Sequence, residues 1–287
     1  MPELPEVEIL RRNLEDAIVG KTIKDVVIHH RKIFKDDPED IIGEKVQSVH
    51  RRAKLLYAPL SNGKSLVIHL KLTGQLIFTE DGPQKGGVVG GHPQKVYDLP
   101  PPHKHTHVEI EFTDGSHLYF NDLRKFGWMR VVDHGKEMSV MGNELGVEPL
   151  SKEFTVAHLQ ALAKRRPRMW VKQFLMAQSI IAGIGNIYSD EILYAARVHP
   201  FRRVKTITPE EWRDIVHITP KILKAAMAAG GTSFSAFRNL KGATGTFHAI
   251  AKAYHKEGKP CARKDGGTIE RKKMGGRSAH YCPKCQK

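Results

Sequence analysis

Apolar residues return every three or four positions at the start of the chain, as Val7, Leu10, Leu14 and Ile18, with charges between them. That spacing predicts an amphipathic helix from Pro5 to about Ala17, stopped by Gly20. From residue 21 the rhythm shortens. β-rich runs at 21–27, 46–49, 55–59, 65–70, 75–78, 108–112, 117–120 and 128–132 are separated by turn signals such as Ser61-Asn62-Gly63 and Asp114-Gly115, which predicts a β-sandwich. Residues 80–104 break the alternation with Gly86-Gly87, Gly90-Gly91 and Pro100-Pro101-Pro102 and read as a surface loop.

Helical spacing then returns at 155–164, 170–178, 186–195 and 209–229, after a stretch at 133–152 with little regular pattern. The last 35 or so residues, from Tyr254, are basic, glycine-rich and too poor in large apolar side chains to form a core, so they need a staple. The expected organisation is α+β in two lobes: a β-sandwich with its N-terminal helix over 1–135, a linker over 136–152, a helical domain over 153–250 and a small C-terminal element over 251–287.

Charge changes the picture first. Lys plus Arg number 46 against 31 Asp plus Glu, a formal net charge of +15, and such a surface favours a polyanionic partner through counterion release. No apolar run reaches the length of a membrane span, and the start lacks the basic-then-apolar pattern of a secretory signal, so a cytosolic protein without membrane contact is expected. The three cysteines, Cys261, Cys282 and Cys285, lie in the last 27 residues, and an odd count in a reducing compartment points to metal rather than disulfides.

Candidate chemistry begins at Met1-Pro2-Glu3-Leu4-Pro5-Glu6-Val7-Glu8. Loss of Met1 would leave Pro2 as a free secondary amine beside a carboxylate, the pairing that imine chemistry requires. The plain alternative is an acidic lead-in to a helix with Pro in its first turn. Arg51-Arg52-Ala53-Lys54 precedes one strand, and Asn121-Asp122-Leu123-Arg124-Lys125-Phe126-Gly127 follows another. An Arg-x-Phe unit at a strand end can replace a lost pairing partner and wedge between bases, or it can be an ordinary basic turn. Gly183-Ile184-Gly185-Asn186 joins two predicted helices, as a phosphate seat or a tight turn.

Cys282-Pro283-Lys284-Cys285 is half of a zinc knuckle, but Cys261-Ala262-Arg263-Lys264-Asp265 supplies a single further thiol. A fourth ligand would come from Asp265, His255, His280 or water. His103, His105 and His107 alternate, which reads as a surface set with one member on phosphate rather than a metal site.

Taken in order, the Pro-Glu-Leu-Pro-Glu-Val-Glu start, Arg-Arg-Ala-Lys, Asp-Leu-Arg-Lys-Phe-Gly, Gly-Ile-Gly-Asn-Ile-Tyr and the terminal Cys-Pro-Lys-Cys-Gln-Lys resemble the bacterial formamidopyrimidine-DNA glycosylases of the Fpg/Nei family, over residues 1 to 287. The resemblance implies a β-sandwich, a helix-two-turn-helix domain and a C-terminal zinc-finger hairpin, with duplex DNA lying between the lobes. It implies removal of flipped-out 8-oxoguanine or formamidopyrimidine, followed by β- and δ-elimination, by a monomer in the bacterial cytoplasm. Residue by residue, Pro2 matches the nucleophile, Glu3 the proton donor, Lys54 the β-elimination residue and Arg277 the finger arginine of δ-elimination and phosphate binding. His105, Lys172 and Asn186 match DNA-backbone contacts, with a further basic contact at Arg166 or Arg168. Arg124 and Phe126 match void-filling residues, with Leu72 as the third wedge where the family generally has Met. Zn²⁺ would be structural, held by Cys261, Cys282, Cys285 and, foremost among the candidates, Asp265.

The sequence departs from the family wording in four places. Loop 80–104 is long, Ala236 stands where Asp is frequent, Thr246-Phe247-His248 replaces a Tyr-Phe-Gln pattern, and Lys264 replaces the second Cys. Two other readings stay open here: an endonuclease VIII-like enzyme for oxidised pyrimidines, and a protein that binds damaged DNA without cutting it.

Overall fold

The computed structural model describes residues 1–80, 88–91, 101–142, 145–232 and 245–287. Ala236 and most of the 80–104 insertion lie outside the described residues. The chain forms two compact units, Met1–Asn143 with Ala229–Thr246, and Glu144–Ala228 with Phe247–Lys287.

In the first unit, helix α1 (Leu4–Ile18) buries Leu4, Val7, Leu10, Leu14 and Ile18, the face that the spacing specifies. It packs on β2 (His50–Arg52) and β3 (Leu55–Pro59). These two strands continue through β4 (Lys64–His69) and β9 (Trp128–Asp133) into a four-stranded antiparallel sheet ordered β2-β3-β4-β9. A five-stranded antiparallel sheet holds β1 (Ile23–Ile28), β7 (Thr106–Phe112), β8 (His117–Asp122), β5 (Gly74–Thr79) and β6 (Val88–Gly91), in that order. Alternate residues of both sheets, such as Leu66 and Ile68, Leu76 and Phe78, Ile110 and Phe112, Leu118 and Phe120, meet the α1 face in one core. Truncating Leu10 within it would cost about 2–5 kcal/mol.

Two strand expectations need correction. Residues 46–49 make no ladder, because Lys45 bridges to Thr22 while Val46 bridges to Leu60, and the chain there is divided between two partners. Residues 88–91, expected within a loop, form β6 because the edge of β5 offers backbone partners from Gln75 to Phe78.

The second unit contains α2 (Val156–Lys164), α3 (Val171–Met176), α4 (Asn186–Ala195), α5 (Pro209–Ala228) and α6 (Phe247–Ile250), then a hairpin of β10 (Glu270–Met274) and β11 (Arg277–Tyr281). Side-chain caps fix two helix starts. Thr155 Oγ1 accepts from His158 N at 3.2 Å, and Thr208 and Glu211 cap each other's backbone N–H at the start of α5. The double turn between α3 and α4 is cross-linked by Gln178, which donates to Met176 O and Ile184 O and accepts from Gly183 N, and this sets where α4 begins.

Candidate active site and metal centre

Pro2 is buried immediately ahead of α1, and Met1 outside it is 37% exposed. Glu3 is the N-cap of the helix, and its N–H donates to Glu6 Oε2 at 2.9 Å in a capping box. The terminus is therefore continuous with a rigid helix rather than a frayed end. Glu8, one turn on, accepts from Arg51 Nε at 3.1 Å, and Arg51 also donates to Ala53 O at 3.0 Å. That link ties α1 to the β2–β3 turn, where Ala53 takes the left-handed φ of 55° and Lys54 follows, 7% exposed. Burial opposes the charge of Glu8, yet Arg12, Arg51 and Arg11 hold its carboxyl below the usual range.

The two turns that carry the residues expected to form the wedge are joined through one aspartate. Asp122 is fully buried; its Oδ1 accepts from the Thr73 hydroxyl and from Arg124 N at 3.0 Å, and its Oδ2 accepts from Phe126 N at 2.9 Å and Gly127 N at 2.7 Å. These bonds shape the 123–127 turn and join it to the 71–73 turn that carries Leu72. Phe126 is left 50% exposed, with the Arg124 guanidinium 4.7 Å from its ring centre. His105 O accepts from Asp122 N at 3.0 Å, so His105, half-exposed, belongs to the same edge. The other alternating histidines do not. His107 is buried, its Nε2 donates to Asp122 O at 2.8 Å, and burial lowers its pKa; His103 pairs with the Asn121 side chain.

In the second unit, Asn186 opens α4 and Arg277 opens β11, and both line an open pocket of about 440 Å³ with His255, Arg271, Lys273 and Ser278. Asn186 Oδ1 is buried and has no hydrogen-bond partner among the described residues. The cationic rim and the helix start suit a phosphate oxygen.

Lys172, expected on the DNA backbone, is corrected by its burial: it is 0% exposed. Its ammonium donates to Asp190 Oδ1 at 2.5 Å, Ser278 O at 2.8 Å and Asn186 O at 3.4 Å. It acts beneath the pocket, as a strut between α4 and β11. Arg168 is exposed in the α2–α3 turn, and its carbonyl accepts from Arg203, while Arg166 is half-buried.

Sequence reasoning missed the two carboxylates that dock the C-terminal element. Asp190 Oδ2 accepts from His280 N at 3.0 Å and His280 Nδ1 at 2.9 Å, and Glu191 accepts the N–H groups of Lys252, Ala253 and Tyr254. Burial raises the Glu191 pKa, against the lowering effect of those three donors. An Asp-Glu pair inside the mostly apolar run Ile187–Ala195 was the available signal.

Cys261, Asp265, Cys282 and Cys285 converge, each offering one ligand atom within 4.8 Å of the others. Zn–S bonds near 2.3 Å and a Zn–O bond near 2.0 Å in a tetrahedron imply edges of ~3.8 Å between sulfurs and ~3.5 Å from sulfur to oxygen. Cys261 and Cys285 Sγ stand 3.8 Å apart, and Cys282 Sγ is 3.5 Å from Asp265 Oδ2. The donor set fits zinc. Asp265 is the carboxylate that stands with the three thiols, while His280 faces Asp190 and Glu257. Gly267 is needed beside it, since a Cβ there would fall 2.6 Å from Cys282 Sγ. Arg263 binds the cluster to α4, donating to Cys285 Sγ at 3.1 Å and to Tyr194 O at 2.7 Å.

Three family models match the chain in order: the formamidopyrimidine-DNA glycosylase N-terminal domain over residues 1–129, the H2TH domain of the same glycosylases over 145–238, and a zinc finger found in FPG and IleRS over 258–287. The chain is 38% identical to a formamidopyrimidine-DNA glycosylase of Bacillus cereus, covering 100% of this chain and 99% of the relative. It is 36% identical to one from Pelotomaculum thermopropionicum over the same shares. Among solved structures, a Lactococcus lactis Fpg mutant in complex with Fapy-dG-containing DNA superposes with a TM-score of 0.87 at 28% identity and full coverage of both chains. MutM (Fpg) of Thermus thermophilus gives 0.84 at 34%, covering 99% of this chain and 98% of that one. Matched from end to end by these domains and relatives, the chain belongs to the formamidopyrimidine-DNA glycosylase family.

Proposed function

We infer that this protein is a base excision repair enzyme that removes oxidised purines, 8-oxoguanine and formamidopyrimidines, from duplex DNA and then cuts the backbone. The observation that carries the reading is the buried Pro2 set directly before a capped helix start, with Glu3 beside it. Once Met1 is removed, the Pro2 nitrogen is an α-amine, a class with a reference pKa near 8, roughly two units below a Lys side chain, so free base is available near neutral pH.

The amine attacks C1′ of the damaged nucleoside, and the glycosidic bond breaks as the base leaves with a proton. Opening of the sugar ring gives an iminium between Pro2 and C1′. Loss of a C2′ proton then expels the 3′ phosphate, and a second elimination expels the 5′ phosphate. Glu3 supplies the proton at the sugar, Lys54 takes part in the first elimination, and Arg277 with Asn186 holds phosphate in the second. Leu72, Arg124 and Phe126 fill the space left by the flipped base, with His105 on the backbone at that edge. Zinc, held by Cys261, Asp265, Cys282 and Cys285, would supply structure only, by fixing the hairpin that bears Arg277.

One molecule carries the full residue set, which supports a monomer, and the +15 charge suits duplex DNA in the cytoplasm. No helix among the described residues is long and apolar enough to cross a membrane. The test is borohydride trapping on duplexes bearing 8-oxoguanine, an oxidised pyrimidine or an abasic site. Adduct on the 8-oxoguanine duplex above the pyrimidine duplex is expected; the reverse order would favour an endonuclease VIII-like specificity, and no adduct on any would leave only binding.

A further inference from the structure

Glu6 does more than a helix cap requires. Its Oε2 accepts the Glu3 N–H, which fixes the peptide that follows Pro2. Its Oε1 accepts both Thr232 N and Thr232 Oγ1, each at 3.0 Å, across 226 residues of sequence. A capping glutamate at a helix surface needs one oxygen for the backbone and leaves the other in water. Here Glu6 is 2% exposed and Thr232 5%, so protein donors replace that water.

Thr232 stands at the root of the segment Ala229–Thr246, which packs with the first unit. The two ends of this segment close on each other. Ala229 O accepts from Thr246 N at 2.8 Å and from Thr246 Oγ1 at 3.2 Å, and a Cβ at Gly245 would lie 2.2 Å from Gly231 O. The two ends of the neck are therefore tied to each other, and Glu6 is where Thr232 meets the start of α1.

We propose that Glu6 is a positioning residue that couples the neck at Thr232 to Glu3 and the amine of Pro2. The proposal rests on the amine chemistry inferred above. Coupling of this kind is reciprocal: whatever seats the neck on Oε1 also fixes the place from which Oε2 holds the Glu3 N–H. Without that coupling, a change at Thr232 would leave chemistry on a base-free site untouched.

The experiment is single-turnover borohydride trapping at saturating concentrations of a duplex with a preformed abasic site. Thr232→Val removes the hydroxyl donor at constant shape, and Thr232→Ser restores it. Thr232→Val is expected to slow trapping about tenfold, ~1.4 kcal/mol, with the Kd for the duplex unchanged, and Thr232→Ser to return the rate. Glu6→Gln, which must turn an amide N–H toward either Glu3 or Thr232, is read in the same assay and is expected to slow it at least as far; it serves if thermal melting shows that Val at this buried site unfolds the protein. Wild-type trapping rates in folded Thr232→Val or Glu6→Gln would overturn the coupling, as would a Ser variant as slow as Val. Absence of any adduct with the wild-type protein would overturn the amine chemistry itself.

Discussion

Two buried aspartates organise the parts of this protein that face DNA in the proposed reaction, and they do so by different means. Asp122 gathers a hydroxyl and three backbone N–H groups, three of the four from the turn that follows it. Asp190 gathers a fully buried ammonium, Lys172, and both the backbone and the ring of His280, from elements 18 and 90 residues away. The first hub shapes a local turn with neutral donors. The second holds a charged pair away from the surface, so its loss leaves a buried ammonium without its carboxylate. The wedge turn should therefore yield gradually, while the α4–hairpin junction should yield sharply.

The largest effect expected on that contrast comes from the metal centre that staples the hairpin. Zinc binding energy in small finger sites is on the order of 10 kcal/mol. Chelation or Cys282→Ser should therefore release the 261–285 element, read as rapid amide exchange there and loss of strand scission, with the β-sandwich still folded. Next, Asp190→Ala should destabilise the second unit by about 3–5 kcal/mol, because buried Lys172 is left without its carboxylate. Denaturant melts would show it, and Asp190→Ala with Lys172→Met should recover much of the loss.

Asp122→Asn should cost less, about 2–3 kcal/mol, since the amide keeps one acceptor oxygen for the turn. Its main readout is weaker binding of abasic-site duplex with the amine chemistry retained. Smallest is a pH effect in the first unit. Burial, with Lys71 and Lys54 adding to it, pushes His69 from 6.5 down to about 3. An unfolded His titrates near 6.5 and the folded one stays neutral, so the unfolded state binds more protons below that pH and stability falls as pH drops. His69→Asn should flatten that slope between about pH 6.5 and 5, in part only, because burial lowers His107 too.

The same contrast explains what could be read in advance. Helix α1, the strand runs other than 46–49 and the Asp-Leu-Arg-Lys-Phe-Gly turn are set by neighbours in sequence, and their residues appear where the pattern places them. Among the fourth donors that the sequence left open, Asp265 is the one placed beside the three thiols. The burial of Lys172 was not legible, because a lone Lys gives no sign that Asp190 waits on another helix to bury it. Strand 88–91 hid behind its glycines, whose turn propensity is outweighed by the open edge of β5. The contact between Glu6 and Thr232 spans 226 residues of sequence and leaves no local trace.

The amine of Pro2 is the centre of the account, and its most direct test is to reduce the adduct with abasic-site DNA, digest it and sequence the modified peptide. The account predicts the label on the N-terminal nitrogen of a chain beginning at Pro2, and no label after Pro2→Gly with a blocked amine. A label on Lys54, or on any other side chain, would contradict it.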